Sequence, residues 1–494
     1  MTFLIALPIL IPLATAASGF IAAASPSVQR RLTLVGTVAL LASTIALLAH
    51  VLKHGTRVHQ AGDWPPPIAV PLVADPLSGI VLVTAALLGL AVVVYSRQGV
   101  DRRRKALAYY PLVQILLFGT CGALLAGDLF NLFVWFEGML VSSFVLLVLG
   151  GERAQLEGGM KYVTMNLLAS LLLLTGIGLV YRLTGTLNLG ALSMAMRDVP
   201  GNAALAAAMV LLVALGIKAA AFPVFSWLPA AYAAPPVAIS AIFSALLTKV
   251  AVYAMFRIFT VVFAQDSGEI RPILLACAGL TMLTGVLGAM VQMDVRRLLA
   301  FHVVSQIGYL LMGLGLGSPL ALLGAVFFMV HIMFAKAALF LVSGITHTLR
   351  GTYQLDRMGG IAREHPGIAV LFLLPALSMA GLPPLSGFFA KLILIRAGLE
   401  AGAYAMVAVA AVVSLLTLYS MIKIWTLAFW GTPPVTVAGR RRPGPGMLVP
   451  TAALAGLVLV IGIAAEPVAL VAGQAADALL ATAAYAEAVA GSGR

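Results

Sequence analysis

The residues best suited to chemistry are charged side chains inside long apolar stretches. With loops and segment ends set aside, about six basic residues remain in such stretches: Lys218, Lys249, Arg257, Lys336, Lys391 and Lys423. A charge at the centre of a membrane helix costs about 2.5–3.5 kcal/mol on insertion scales. Each of these charges therefore needs a role that offsets this cost.

Lysine dominates this internal set, although arginine is the common cation of the chain. Nearly every basic residue of the loops is arginine, whereas five of the six internal ones are lysine. Arginine keeps its proton in proteins, but a lysine in apolar surroundings can release and regain one. The bias indicates side chains that take up and release protons.

Glu137, within FNLFVWFEGMLVSSF, is the only acidic residue clearly inside an apolar stretch, because Asp128 sits at the edge of one. A lone carboxylate facing hydrocarbon is implausible, so Glu137 should face a lysine, and Lys218 is the candidate. Such a pair can act as a switch. A proton or ion that neutralises Glu137 frees Lys218 to find another partner.

Histidines add groups that titrate near neutral pH. His302 and His331 lie in apolar stretches, and His347 lies at the end of the stretch that holds His331 and Lys336. For a lone histidine in such a stretch, a hydrogen bond to a backbone carbonyl is the favoured interpretation. His331 and Lys336 are about 140° apart around a helix, which excludes a metal pair but allows successive steps of a proton relay.

Arg257 and Lys423 lie toward the ends of their apolar stretches. Long basic side chains at such positions commonly extend to the membrane interface, which is the expected arrangement for both. Cys121 and Cys277 each sit in apolar sequence and are expected to be small buried residues rather than a disulfide or a metal site. We found no phosphate-binding loop, cysteine cluster or nucleophile elbow, so no cofactor and no metal are expected.

The composition indicates that these apolar stretches lie in a membrane. The 494 residues are 62% hydrophobic and 10% charged, with a mean hydropathy of +1.07. We expect an all-α polytopic membrane protein with about fourteen spans. They run near 2–24, 32–52, 76–96, 108–126, 129–149, 160–181, 203–231, 235–263, 271–291, 299–316, 319–345, 366–396, 403–430 and 446–465. The segment after Glu466 is interpreted as a surface helix or a frayed tail.

Basic residues are distributed unevenly between alternate loops. About seventeen fall on one side and about seven on the other, which predicts that the basic side is cytoplasmic and both chain ends are outside. The basic side contains Arg30, Arg31, the run 102–105, Arg153, Lys161, Arg296, Arg297, the stretch 350–363 and the run 440–442. This asymmetry explains the net charge of +13 without nucleic acid.

Prolines interrupt two of the predicted spans next to a lysine. Pro223 and Pro229 follow Lys218, and Pro383 with Pro384 precedes Lys391. A proline inside a helix frees a carbonyl, which a membrane tolerates only beside other protein or a hydrated cavity. Two broken helices about five spans apart are typical of an internally repeated transporter, with simple kinks as the alternative.

Five stretches together resemble one known family. They are GDLFNLFVWFEGMLVSSF, GIKAAAFPVFSWLPAAYAAPPVAISAIFSALLTKVAVYAMFRIF, DVRRLLAFHVVSQIGYLLMG, HIMFAKAALFLVSGITHTL and LSMAGLPPLSGFFAKLILI. The chain, from about residue 75 to 430, resembles the antiporter-like family of proton-pumping complex I membrane subunits and large subunits of Mrp-type Na⁺/H⁺ antiporters. The segment AAYAAPP after WLP resembles the branch formed by the D subunits of the Mrp antiporters.

This resemblance implies fourteen helices with two inverted five-helix repeats. The expected divisions are 1–107 for the first three helices, 108–263 and 271–430 for the repeats, and 446–494 for the last helix and tail. The resemblance also implies proton-transfer roles for Glu137 with Lys218, for Lys249, for His331 with Lys336, and for Lys391. His302, which stands where relatives often have Ser or Tyr, and His347 are additional candidates.

The resemblance implies a secondary transporter component rather than an enzyme, in a bacterial inner membrane. Its expected partners are the bilayer, H⁺, Na⁺, a larger homologous subunit and small hydrophobic subunits of a hetero-oligomeric antiporter. The alternative is a proton-pumping membrane subunit of complex I or of a membrane-bound hydrogenase, which would use the same residues. A structural scaffold without transport is a third alternative, and the joint presence of Glu137, Lys218, Lys249 and Lys391 argues against it.

Overall fold

Long apolar helices make up nearly all of the structure. The computed structural model describes residues 3–62, 70–264, 267–432 and 442–490. Within these residues the predicted all-α class holds, with one addition. Two short antiparallel strands, β1 (Arg57–Ala61) and β2 (Val70–Ala74), lie between the second and third helices, in a segment too short and polar to span a bilayer.

The first half of the chain forms eleven helices. They are α1 (Phe3–Ile21), α2 (Pro26–His54), α3 (Pro76–Gly99), α4 (Arg102–Ala106), α5 (Tyr109–Leu125), α6 (Leu129–Val148), α7 (Arg153–Thr184), α8 (Leu189–Ala195), α9 (Gly201–Ala219), α10 (Trp227–Ala233) and α11 (Val237–Arg257). A 3₁₀ turn, Met196–Asp198, follows α8, and a π-helical turn, Ile258–Val262, extends α11.

Ten further helices complete the described residues. They are α12 (Ser267–Val291), α13 (Val295–Leu316), α14 (Pro319–Arg350), α15 (Ile361–Glu364), α16 (Pro366–Ala380), α17 (Ser386–Glu400), α18 (Tyr404–Ile424), α19 (Pro445–Ile463), α20 (Ala465–Leu480) and α21 (Thr482–Ala490). A 3₁₀ turn, Leu355–Arg357, precedes α15, and a π-helical turn, Trp425–Trp430, follows α18.

Twelve helices among the described residues are long and apolar enough to cross a membrane, so the chain is a multi-pass membrane protein. Each of the fourteen predicted spans falls on a helix. The fourth falls on the 17-residue α5, and the twelfth on the shorter pair α16 and α17. The total of fourteen therefore stays a prediction. Of the predicted basic run at 440–442, Arg440 and Arg441 lie outside the described residues.

Helices α11, α13 and α14 form the centre of the molecule. The most apolar stretches of α11 and α14 are entirely buried inside the protein, and that of α13 is nearly so. The 32-residue α14 begins at a Ser318 cap with Pro319 in its first turn and ends at Gly351 in the left-handed conformation. At about 1.5 Å per residue it extends about 48 Å, so it can carry polar groups through the whole protein interior.

The C-terminal segment packs more closely than we expected. Helix α20 buries Ala472, Ala475, Ala476 and Leu479 and contacts α3 and α14. Its interpretation as a frayed tail is wrong, because the small alanine side chains allow close helix packing on one face, while the alternative of a surface helix stays a prediction. After α20 the chain bends by 76° into α21, which packs against α8.

Arg257 does not extend to the membrane interface, which corrects the expectation for this residue. Its side chain is 4% exposed and pairs with the fully buried Asp75, with Nη2 and Oδ1 2.5 Å apart. Asp75 also caps α3, since its Oδ1 accepts the backbone N–H of Ser78 at 2.8 Å. The Tyr253 hydroxyl lies 3.1 Å from Arg257 Nη2.

Lys423 bonds the end of a neighbouring helix, and its expected extension to the membrane interface stays a prediction. Its Nζ donates to the carbonyls of Met290 and Gln292, at 2.8 and 2.9 Å, where α12 ends. A cation at a helix C-terminus is favoured by the helix dipole.

We predict that Asp75→Ala strongly destabilises the protein, because it leaves the Arg257 charge buried without a partner. Loss of one member of a buried pair typically costs about 3–5 kcal/mol. Thermal unfolding of the purified protein measures the effect, and the double variant Asp75→Ala/Arg257→Leu should recover much of the loss. The control is Glu400→Ala, which breaks the exposed pair with Arg396 and should change little. Equal stability of Asp75→Ala and Glu400→Ala would contradict a structural role for the buried pair.

Candidate functional site

Three helices bring Glu137 and Lys218 together around a serine. Lys218 Nζ on α9 lies 3.8 Å from Glu137 Oε1 on α6. Ser170 of α7 bridges them, since its hydroxyl donates to the Glu137 carboxylate and accepts from Lys218 Nζ at 3.0 Å. The Lys218 side chain is 5% exposed and that of Glu137 is 30% exposed. The expected partner of Glu137 is therefore beside it, and the serine bridge was not anticipated.

Lys218 lies in the last turn of α9, directly before a break in the helix. The chain leaves the helix at Ala220 and includes Pro223 before α10 begins. Two contacts satisfy polar groups freed by the break. The Trp227 indole donates to the carbonyl of Ile217 at 3.0 Å, and the backbone N–H of Phe222 donates to Thr281 Oγ1 at 2.9 Å. The ammonium group thus lies at a helix C-terminus, where the dipole favours it.

Lys249 and Lys336 are fully buried on the central helices α11 and α14. Lys249 Nζ donates to the carbonyl of Ser244 at 2.5 Å, and Lys336 Nζ donates to the carbonyl of Leu299 at 3.3 Å. The two side chains lie close enough to interact electrostatically. Both lysines thus have neutral oxygen partners.

His331 and His302 bond serine hydroxyls. His331 Nδ1 lies 2.8 Å from Ser386 Oγ, and His302 Nε2 lies 2.5 Å from Ser420 Oγ. The expectation that a backbone carbonyl is their partner is wrong, because neighbouring helices supply hydroxyls at these points. His347 lies elsewhere, at the end of α14, where its ring stacks on Tyr353 at a centroid distance of 4.2 Å.

Lys391 lies beside the second helix break. Its Nζ donates to the last carbonyls of α16, at 2.7 Å for Met379 and 3.2 Å for Ala380, and to Ser414 Oγ at 2.9 Å. Pro383 and Pro384 lie in the connection between α16 and α17. The lysine satisfies carbonyls that the break would otherwise leave without partners.

These side chains form what we call the polar row, defined as Glu137, Lys218, Lys249, Lys336, His331 and Lys391. Across the described ranges, Glu137 supplies the only carboxylate within 4.0 Å of a member. Lysine or histidine beside neutral hydroxyls and carbonyls can exchange protons without an opposing charge to hold them. In that same part of the chain, no group of three or more His, Cys, Asp or Glu residues could hold a metal ion.

A crevice of about 1580 Å³ opens at the basic end of the bundle, and His347 lines it. Helix α7 connects the crevice with the Glu137–Lys218 pair through small and polar residues spaced four apart: Gly158, Tyr162, Asn166 and Ser170. The Tyr162 hydroxyl lies 2.5 Å from Ser143 Oγ, and the Asn166 amide donates to the Tyr162 carbonyl at 3.0 Å. We call these four residues the α7 stripe. The α7 stripe was not predicted from the sequence, although polar residues four apart in an apolar helix indicate a shared polar face.

Comparison with known proteins identifies relatives that match nearly the whole chain. The D subunit of the Na⁺/H⁺ antiporter of Alkalihalophilus pseudofirmus is 41% identical over 490 residues, covering 99% of both chains. The D subunit of the Na⁺/H⁺ antiporter of Bacillus subtilis is 36% identical over 485 residues, covering 98% of both.

Two solved structures share the fold. A chain of the Mrp complex from Dietzia sp. DQ12-45-1b matches with a TM-score of 0.93 and 35% identity, over 99% of this chain and 100% of that one. A chain of the archaeal membrane-bound sulfane sulfur reductase, a respiratory membrane complex, matches with a TM-score of 0.92 and 26% identity, over 98% and 99%. The family model described as NADH:quinone oxidoreductase/Mrp antiporter, TM, matches residues 126–417. The chain belongs to this NADH:quinone oxidoreductase/Mrp antiporter family.

Proposed function

We propose that this chain is the proton-translocating component, similar to the D subunits, of a multisubunit monovalent cation/proton antiporter, with Na⁺ as the expected cation. The observation that carries the proposal is the polar row itself, in which α6, α9, α11, α14 and α17 each place a titratable side chain inside the protein, with a single carboxylate on α6. Relatives named as D subunits of Na⁺/H⁺ antiporters, similar over almost their whole length, support the same function.

The proposed inlet for protons is the crevice at the basic end. From there the α7 stripe leads to Glu137 and Lys218. Ser170 comes twelve positions after Gly158, a rise of about 18 Å along the helix, enough to reach well into the membrane interior. Hydroxyl and amide groups along this path can hold water molecules that conduct protons.

The Glu137–Lys218 pair is the proposed gate. At 3.8 Å, with Ser170 between them, the two charges attract without a close direct hydrogen bond. A proton that neutralises Glu137 weakens this attraction and lets Lys218 pass its own proton inward. Beyond the gate the proton moves through Lys249, Lys336 and His331 to Lys391, with His302 as an additional group and His347 in the inlet.

Segments 108–263 and 271–430 are proposed to be two inverted repeats. Each would contain one helix break beside a lysine, at Lys218 in the first and Lys391 in the second. The basic end of the bundle is proposed to face the cytoplasm, with both chain ends outside, in a bacterial inner membrane. A larger homologous subunit and small hydrophobic subunits are the proposed partners.

The second candidate function is that of a proton-translocating subunit in a redox complex. It is favoured by the structural match to the sulfane sulfur reductase chain, whose TM-score nearly equals that of the Mrp chain. The higher identity to antiporter subunits over nearly the full length favours the antiporter. In either complex, this chain would translocate protons and carry no redox group.

We predict that Glu137→Ala and Lys218→Ala each reduce Na⁺/H⁺ exchange at least about tenfold, in the range of losses when a proton-transfer group is removed. The measurement is exchange in everted membrane vesicles that contain the assembled complex, in cells lacking other Na⁺/H⁺ exchangers. Ser142→Ala is the matched control, because this serine is also on α6 but bonds only carbonyls of its own helix. Wild-type exchange in both charge variants would refute the gate.

We also predict that Lys391→Arg reduces exchange about tenfold or more although it keeps the positive charge, because arginine does not release its proton. Lys423→Arg is the control. This lysine also donates to helix-end carbonyls, so an arginine can replace it without loss of transport. If Lys391→Arg supports full exchange in the same vesicles, proton release by residue 391 plays no part in transport.

A further inference from the structure

The crevice at the basic end of the bundle holds more positive than negative side chains. Among the described residues, eight lysines and arginines line it, against four aspartates and glutamates. Most of these carboxylates are already bound to a cation. Asp101 and Glu152 both pair with Arg104. Glu157 pairs with Lys161, with Oε1 and Nζ 2.7 Å apart. Three of the four carboxylates thus bind only two of the eight cations.

Six cations of the crevice have no ion-pair partner. The fourth carboxylate, that of Asp294, caps α13 by accepting two backbone N–H groups at 2.9 and 3.1 Å. Within the described ranges, no carboxylate lies within 4.0 Å of the remaining cations, which are Arg97, Arg102, Lys105, Arg296, Arg297 and Arg442. Like charges gathered in one cavity repel each other, so an anion that enters the crevice is attracted by all six.

Aromatic stacking holds one of these cations in place. The guanidinium carbon of Arg296 lies 3.7 Å from the centre of the Tyr353 ring, which in turn stacks on His347 at 4.2 Å. Among the described residues, the Arg296 side chain makes one hydrogen bond, from Nη1 to the Pro235 carbonyl at 3.4 Å. Most of its five N–H donors are therefore unused. A guanidinium binds two phosphate oxygens at once, so a positioned arginine with unused donors suits a phosphate group.

Two helices begin at the wall of the crevice without a side-chain cap. Helix α11 starts after Pro236 and α19 after Gly444, and both of these residues line the crevice. The first N–H groups of a helix and its dipole favour an anion at that end. The unpaired cations and the two helix ends thus favour the same class of ligand, an anion with several acceptor oxygens, such as a phosphate group.

An apolar cavity adjoins the crevice. It has a volume of about 630 Å³, lies between α16 and α19, and shares Arg442 with the crevice. We call it the α16–α19 groove, and its apolar walls are formed by Ile368, Leu371, Leu448, Val449 and Ala452. Val449 is 61% exposed, so the groove is open at the protein surface. The carboxylate at its edge, Glu364, is bound to Arg350 at 2.9 Å. A basic crevice joined to an apolar groove matches a molecule with a phosphate group and a hydrocarbon chain.

We propose that the crevice binds the headgroup of an anionic phospholipid and that the α16–α19 groove receives one of its acyl chains. The walls of the crevice are helix ends, since Arg97 is in the last turn of α3 and Arg296 in the first turn of α13. The ends of spanning helices lie at the level of lipid headgroups, where basic pockets bind anionic lipids. At about 30 Å³ per water molecule, the 1580 Å³ of the crevice equals about fifty water molecules, so a headgroup fits together with water.

Arg297→Gln/Arg442→Gln tests the headgroup site, because both side chains are exposed and the variant should fold. The measurement is native mass spectrometry of the purified full chain in detergent with increasing phosphatidylglycerol. We expect the affinity to fall about fivefold for each charge removed and about twenty-five-fold for both. The control is Arg153→Gln, an exposed arginine of α7 that does not line the crevice, and it should change the affinity less than about twofold. Wild-type affinity in the double variant would overturn the proposal.

Ala452→Trp tests the acyl-chain site by filling the α16–α19 groove. We expect it to lower the affinity for phosphatidylglycerol about tenfold or more, as when two methylene groups lose their burial. The matched control is Ala453→Trp, since the next residue of α19 is equally exposed but does not line the groove. Equal affinities of the two tryptophan variants would show that the groove holds no acyl chain and would contradict the proposed lipid.

Two further ligands separate a phospholipid from other occupants. Phosphatidylcholine with the same acyl chains should bind at least about tenfold more weakly than phosphatidylglycerol, and equimolar inorganic phosphate should not displace the lipid. The proposal is overturned if phosphatidylcholine binds equally well, if phosphate displaces the lipid, or if Arg297→Gln/Arg442→Gln loses a neighbouring subunit from the complex while its lipid binding is unchanged. Glu137→Ala should bind phosphatidylglycerol as the wild type does, so failure of the proton gate leaves this result unaffected.

Discussion

The cost of charge in an apolar medium governs this structure. Lys249 and Lys336 are completely enclosed because α11 and α14 are surrounded by other helices on every side. The two helix breaks follow the same constraint, since Trp227 and Lys391 supply donors to carbonyls that would otherwise be unpaired. Protein oxygen atoms accept hydrogen bonds from each of the four lysines of the row.

Much of this arrangement was predictable from the sequence. Hydropathy located the helices, and the lysine bias together with the position of Glu137 pointed to the lysines and the carboxylate of the polar row, whereas the family resemblance pointed to His331. The prolines located both breaks, because proline acts on its own chain and needs no tertiary partner to interrupt a helix. Each of these signals comes from residues that are close together in the chain, so the sequence alone reveals it.

The remaining features depend on contacts between residues distant in the chain. Asp75 and Arg257 are 182 residues apart, and Asp75 precedes its helix, so nothing local marks it as the buried partner of Arg257. The serine partners of His302 and His331 likewise come from other helices, so no local sequence pattern predicts them. The alanine-rich α20 has a composition that also fits a frayed tail, and only its packing against α3 and α14 shows that it is an ordered helix.

The neutral oxygen partners of Lys249, Lys336 and Lys391 have a kinetic consequence. A carboxylate 4 Å from such a lysine would retain its proton by about 4 kcal/mol at an effective dielectric constant of about 20, and would slow release by almost three orders of magnitude. Carbonyls and hydroxyls impose no comparable trap, so no nearby negative charge holds the proton on any of these three lysines. The proposed route would then run in either direction through them, as the concentration differences across the membrane dictate.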